Sequence, residues 1–199
     1  AVDQPLHCHS LDLSPIHYGA VVYTQTAAAF DYLRNSHGTE RFDRGMQAYF
    51  DAWKFKHPTP GDLRASLEGS AGEDLGWFFD GLVPTTGQTD YAISSVRSGD
   101  DATAVTVRNK GEIEGPWSLH GQREDGDWEV LGWYPGVAAG EQTEVDMPAY
   151  QAYRIDHDGV MLDNNPHNNT CRARGLLKAV EPLQLGVVTR LDDGTRTQL

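Results

Sequence analysis

The chain has 199 residues, 39% hydrophobic and 10% aromatic, enough apolar surface to bury a core and too much for a disordered tail. Asp and Glu outnumber Lys and Arg by 29 to 16, a net charge of −13, and such a surface repels a phosphate backbone, which argues against a nucleic-acid partner. Cys8 and Cys171 are the two cysteines; they exclude a disulfide scaffold and a four-thiolate zinc site and leave one pairing open, and no apolar run approaches the ~20 residues of a membrane span.

Residues 1–16 carry Pro5 and Pro15 without a clear period and read as an extended lead-in. The start at Ala1, with no charged-then-apolar leader, is what a fragment or processed chain would show. His7-Cys8-His9 has the look of a metal clamp, but neighbouring side chains of an extended chain point to opposite faces and two histidines are too few ligands. Residues 17–35 read as a helix, with Tyr18, Val22, Ala29 and Leu33 at helical spacing and Gly38 just past the end. Tyr18 and Tyr23 lie five apart, about 140° around an α-helical axis. That spacing allows one to face the core and the other a cleft, where a hydroxyl can donate to a developing oxyanion. On periodicity alone both are packing residues.

Thr39 is the expected N-cap of the next helix, whose stripe is Phe42, Met46, Tyr49, Phe50 and Trp53, with Lys54, Lys56 and His57 in its last turn before Pro58. Thr59-Pro60-Gly61-Asp62 restarts a helix with a cap, a proline at the first position and an acid at the third. Leu63 and Leu67 face inward, and Gly69 and Gly72 break the chain. Glu73 to Leu82 reads as a fourth helix packed through Leu75, Phe78, Phe79 and Leu82, with Trp53 and Trp77 as further core aromatics.

Residues 84–89 form a linker, and the pattern then changes to short alternating strands at 90–97, 102–109, 116–123, 127–134, 141–147 and 150–156, separated by Gly-, Asn- and Asp-rich turns. The expected fold class is therefore α+β: an N-terminal helical part of about four helices over 1–88, then a small antiparallel β-sandwich of immunoglobulin-like type over 89–158. Residues 159–199 complete the chain as a polar loop and a strand-like end. Trp117, Trp128 and Trp133 would suit a docking surface if exposed, but strand tryptophans are more often core.

No histidine is followed by Glu and none pairs with another at four residues, so H-E-x-x-H is absent. A G-x-S-x-G elbow and a phosphate-binding loop are absent too; Gly69-Ser70-Ala71-Gly72 has the wrong spacing and reads as an interhelical turn. Asp163, Asn164, Asn165, Asn168 and Asn169 are hard oxygen ligands that would suit calcium, but they lack the EF-hand spacing and read as turns. From the residues alone, no complete active site emerges.

Three separated stretches resemble the M1 family of zinc aminopeptidases: Tyr18-Gly-Ala-Val-Val-Tyr23-Thr-Gln-Thr, then FDYLRNSHGTERFDRGMQAYFDAWKFKHPTPGDLRASLE from Phe30, then Ser70-Ala-Gly-Glu-Asp-Leu-Gly-Trp-Phe-Phe-Asp-Gly-Leu82. Asp90 to Asp156 is similar to the sandwich that follows in bacterial members, and LDNNPHNN from Leu162 to their Asn-rich segment near the end of the chain. The resemblance implies the C-terminal portion of a zinc metallopeptidase that removes an N-terminal residue from peptides. The zinc ligands and the G-x-M-E-N-type amine-binding segment would lie upstream of Ala1, no metal ligand would be in this chain, and the chain alone would be inactive. It implies that Tyr23 hydrogen-bonds the oxyanion of the tetrahedral intermediate, with Tyr18 as a cleft neighbour; where relatives carry a basic residue, this chain has Gln25. The bacterial relatives imply an extracytoplasmic or cell-envelope location. The alternative reading is a non-catalytic binding or scaffold module with a peptidase-derived fold, in which Tyr23 only packs.

Overall fold

The computed structural model describes residues 5–6, 18–99 and 102–173. His7-Cys8-His9, any pairing of Cys8 and the strand-like end over 176–199 lie outside the described residues. A π-helical turn, Gly19–Gln25, runs directly into helix α1, Thr26–His37. Helix α2 spans Thr39–Trp53, α3 spans Pro60–Ala71, and a second π-helical turn covers Trp77–Leu82. Gly38 takes a positive φ of 89° between α1 and α2 and occupies the cap position, one residue before the expected Thr39.

The restart at α3 follows the local chemistry read from the sequence. The Thr59 hydroxyl and backbone N–H both donate to Asp62, at 2.6 and 2.7 Å, and the N3 backbone N–H returns a bond to Thr59. This reciprocal pairing satisfies donors that an unfinished helix end leaves open. Gly69 does not break the chain: α3 continues to Ala71 and ends on Gly72 in the left-handed conformation. The α2 stripe is narrower than expected, because Phe42 and Gly45 are buried whereas Phe50 is 59% exposed. A Cβ on Gly45 would sit 2.5 Å from Ser70 Oγ, so glycine lets α2 and α3 approach, and the Ser70 hydroxyl donates to Arg41 O at 3.0 Å. The Arg64 guanidinium ties α3 to the second π-turn, meeting Glu68 at 2.7 Å, Asp74 at 3.0 Å and Asp80 at 2.8 Å.

Among the described residues seven strands follow: β1 (Tyr91–Ser98), β2 (Thr103–Asn109), β3 (Trp117–Gln122), β4 (Trp128–Tyr134), β5 (Gln142–Met147), β6 (Ala152–Ile155) and β7 (Thr170–Arg172). They form two antiparallel sheets, ordered β1-β2-β5 and β4-β3-β6-β7. The fold class is α+β, helices first. The polar loop expected from residue 159 contains β7 and a single turn at Pro166–Asn168. Val105 and Val107 of one sheet share a core with Trp117, Leu119, Tyr153 and Ile155 of the other. Trp117 is fully buried and stacks on Tyr134 at 4.5 Å, whereas Trp128 and Trp133 are half-buried. The Tyr153 hydroxyl donates back to Pro148 O, fixing the corner into β6.

The helical layer and the sheets meet at one residue in particular. Tyr32 of α1 is fully buried and belongs to the sheet core; its hydroxyl donates to Pro116 O at 2.5 Å. From the sheet side, the Tyr91 hydroxyl donates to Gly115 O at 2.7 Å. A Cβ on Gly115 would lie 2.6 Å from the Tyr32 hydroxyl and 3.0 Å from the Trp77 ring, so only glycine fits between the two layers there.

Candidate functional site

An α-helix would place Tyr23 some 140° from Tyr18. The hydrogen bonds of a π-turn instead close from residue i to i+5, which returns the fifth residue to nearly the same side. The two rings accordingly meet edge to face, with centroids 5.9 Å apart and planes at 73°. Neither is core: Tyr18 is 38% and Tyr23 64% exposed. α-Helical spacing allows one tyrosine in the core and one in a cleft; the π-turn leaves both exposed on one side. The sequence held a signal for this, the five-residue spacing itself, but helical periodicity reads it as separation.

Gln25 closes the same π-turn and lines a cleft of about 220 Å³ at the junction of helices and sheets. Leu82, residues 85–89, Leu162 and Asn164 form much of its wall. Sequence reasoning read 84–89 as a plain linker. The Thr85 hydroxyl donates to Gly81 O at 2.6 Å and accepts from Gly87 N–H at 3.0 Å, so this stretch is shaped by its own side chains.

Among the described residues, no group of three His, Cys, Asp or Glu is placed to hold a metal ion, and the sequence lacks H-E-x-x-H. These residues do not fit a catalytic zinc. The Asn-rich loop has a structural use instead: Asp163 accepts from Tyr91 N–H at 2.9 Å and Asn165 N–H at 2.8 Å, and the Asn168 amide donates to Asp90 at 2.8 Å. Burial still pushes the Asp163 carboxyl above the usual carboxylate range, against those donors.

A second polar group lies on the four-stranded sheet. His120 is 3% exposed, with Nε2 3.3 Å from Asp158 and Nδ1 without a partner. The His157 ring lies 5.5 Å away and stacks on Trp128 at 5.1 Å. Burial lowers the His120 pKa, opposed by Asp158. Sequence reading did not single out these histidines, because they come together only when β3 and the end of β6 pair.

No protein-family model matches the chain. Over 158 residues, 78% of its length, the chain is 25% identical to aminopeptidase N of Lactococcus lactis subsp. lactis. A crystal structure of Legionella pneumophila aminopeptidase A in complex with aspartic acid superimposes with a TM-score of 0.56, at 17% identity and over 70% of this chain. The chain spans only 18% of the first protein and 17% of the second. The resemblance read from the sequence is borne out at this level: the chain is similar to one module of an aminopeptidase, and no helix among the described residues is long and apolar enough to cross a membrane.

Proposed function

We propose that this chain is the C-terminal portion of an M1-type zinc aminopeptidase, supplying one wall of the peptide-binding cleft and the tyrosine that stabilises the transition state. In this reading the zinc ligands come from residues outside this chain, and the isolated chain is inactive. The observation that carries it is Tyr23. It stands 64% exposed on a π-helical turn, a distortion that recurs at functional sites, in the stretch whose sequence carries the family resemblance. Its hydroxyl would donate to the carbonyl oxygen of the scissile peptide bond as that oxygen gains charge. Such a donor is worth more in the transition state than in the ground state, so it raises turnover rather than binding. Tyr18, edge-on at 5.9 Å, would border the same cleft.

The test is Tyr23→Phe in the full-length parent. Turnover should fall about 10²–10³-fold with KM little changed, the effect of losing one oxyanion donor, and the circular dichroism spectrum should be unaltered. Full activity in the variant would overturn the role. Zinc and an aminoacyl-arylamide added to this chain alone should give no chelator-sensitive turnover; robust turnover would overturn the division of the site. A parent reading frame lacking H-E-x-x-H would favour the scaffold reading.

A further inference from the structure

Helix α2 ends in a cluster of aromatic side chains left open to solvent. Phe50 is mostly exposed, Phe55 is fully exposed and Trp53 is half-buried. Beyond the helix the chain turns back: Lys56 N–H donates to Trp53 O at 2.9 Å across Lys54, at φ −51° and ψ 130°, and Phe55, at φ +64°. This is the pattern of a type II turn, whose third residue needs a positive φ and is ordinarily glycine or asparagine. Phenylalanine there holds a left-handed backbone that its Cβ disfavours and leaves a whole aromatic ring in water. At full exposure the ring meets no neighbour among the described residues that could offset either penalty. The turn is nonetheless held firmly. Lys54 N–H donates to Phe50 O at 2.8 Å and Lys56 Nζ to Ala52 O at 2.7 Å. The Lys54 and Lys56 ammonium groups each lie 5.8 Å from a ring centroid, over Phe50 and Trp53.

Exposed aromatic surface gathered in one place marks a contact face, and charge selects the occupant. Lys54 and Lys56 are two of the chain's four lysines. A second copy docked face to face would set these ammonium groups against each other. An anionic bilayer would attract the two lysines but repel a chain of net charge −13. Protein outside this chain meets neither objection, and there is room for much of it: the chain spans 18% of one matched aminopeptidase and 17% of the other. We propose that the end of α2 is the seam on which the rest of the parent protein packs, with Phe50, Trp53 and Phe55 set into an apolar hollow and Lys54 and Lys56 meeting carboxylates at its rim. This rests on reading the chain as part of a larger aminopeptidase, but not on Tyr23 or on turnover.

The experiment compares this chain with the full-length parent. Acetic anhydride labelling, read by mass spectrometry, should modify Lys54 and Lys56 readily in this chain and about tenfold more slowly in the parent, where reaction waits on local opening. Phe55→Asn suits the left-handed position, so in this chain its Tm should rise by about 2–4 °C. In the parent the same substitution should lower Tm, because a buried ring is lost there. Equal labelling in the two proteins, or a raised Tm in both, would overturn the proposal and leave the Tyr23 test untouched. Self-association of this chain in sedimentation, lost in Phe55→Asn, would give the face to a second copy and overturn it. Co-sedimentation with phosphatidylglycerol vesicles, lost in the same variant, would give it to a membrane and overturn it too. A reading frame that encodes no more than this chain would overturn it together with the parent reading.

Discussion

His120 shows how one buried ring sets a pH dependence. Removing its neutral imidazole from water disfavours the charged form, so its folded pKa lies below the ordinary histidine value of 6.5. Asp158 and Asp156 oppose the shift and His157 adds to it; Arg154 pairs opposite His120 across β3 and β6. Because the unfolded chain takes up the proton first, the stability held by neutral His120 is present above that value and is lost as pH falls towards the folded pKa. Urea unfolding at pH 7.5 and 5.5 should show lower stability at the acid end, and His120→Gln should flatten the difference. Asp156 and Asp163 work with the opposite sign, since burial raises both: their contribution is present at acid pH and is lost as pH rises through the folded values. The tyrosines make the same point about legibility. Residue type and position marked Tyr18 and Tyr23, but which way each faces depended on a hydrogen-bond ring one residue larger than the helical period assumes.

At the scale of elements, the start of α3 and the π-turn make contrasting cases. The start of α3 was fully legible, because Thr59, Pro60 and Asp62 act within four residues of one another. Thr59→Ala should cost about 1 kcal/mol, measured by denaturant midpoint. The π-turn was not legible, because no residue in it compels the wider ring. Deleting Val21 should convert it to an ordinary helical turn in which the two tyrosines stand four residues, about 40°, apart on one face. Nuclear Overhauser contacts between the two rings should then persist with far-ultraviolet helicity kept; their loss would show that the turn does not convert in this way. The alternating strands were read from their period, yet β7 was missed. Thr170–Arg172 is three residues long and Asn-flanked, and it is a strand only because Ala152 to Arg154 offers it an edge. Phe50 failed for a related reason: helical spacing names a face, but whether a neighbour covers that face is a tertiary fact.

For the whole molecule, the question is whether helices and sheets behave as one body. Tyr32, Trp77 and Leu82 pack into the sheet core from the helical side, and the Tyr32 hydroxyl is buried deeply enough to be held well above its ordinary pKa. Tyr32→Phe leaves Pro116 O without this donor and should cost about 1–3 kcal/mol. Tyr32→Ala removes the ring as well and should cost about 3–5 kcal/mol. In calorimetry the wild-type chain should melt in one transition and Tyr32→Ala in two, the helices first. None of this coupling was visible in sequence, where Tyr32 was one residue of a helical segment and Gly115 one glycine among 21.

Gly115 has one more consequence. With a Tyr32 hydroxyl on one side and an indole edge on the other, its missing side chain sets the spacing of two modules as a shim sets a gap. A single methyl there would act as a wedge at a fulcrum. The helical layer, with Tyr23 on its π-turn, and the sheets, with Leu162 on the loop after β6, would swing apart, and every distance measured across the seam between them would lengthen together.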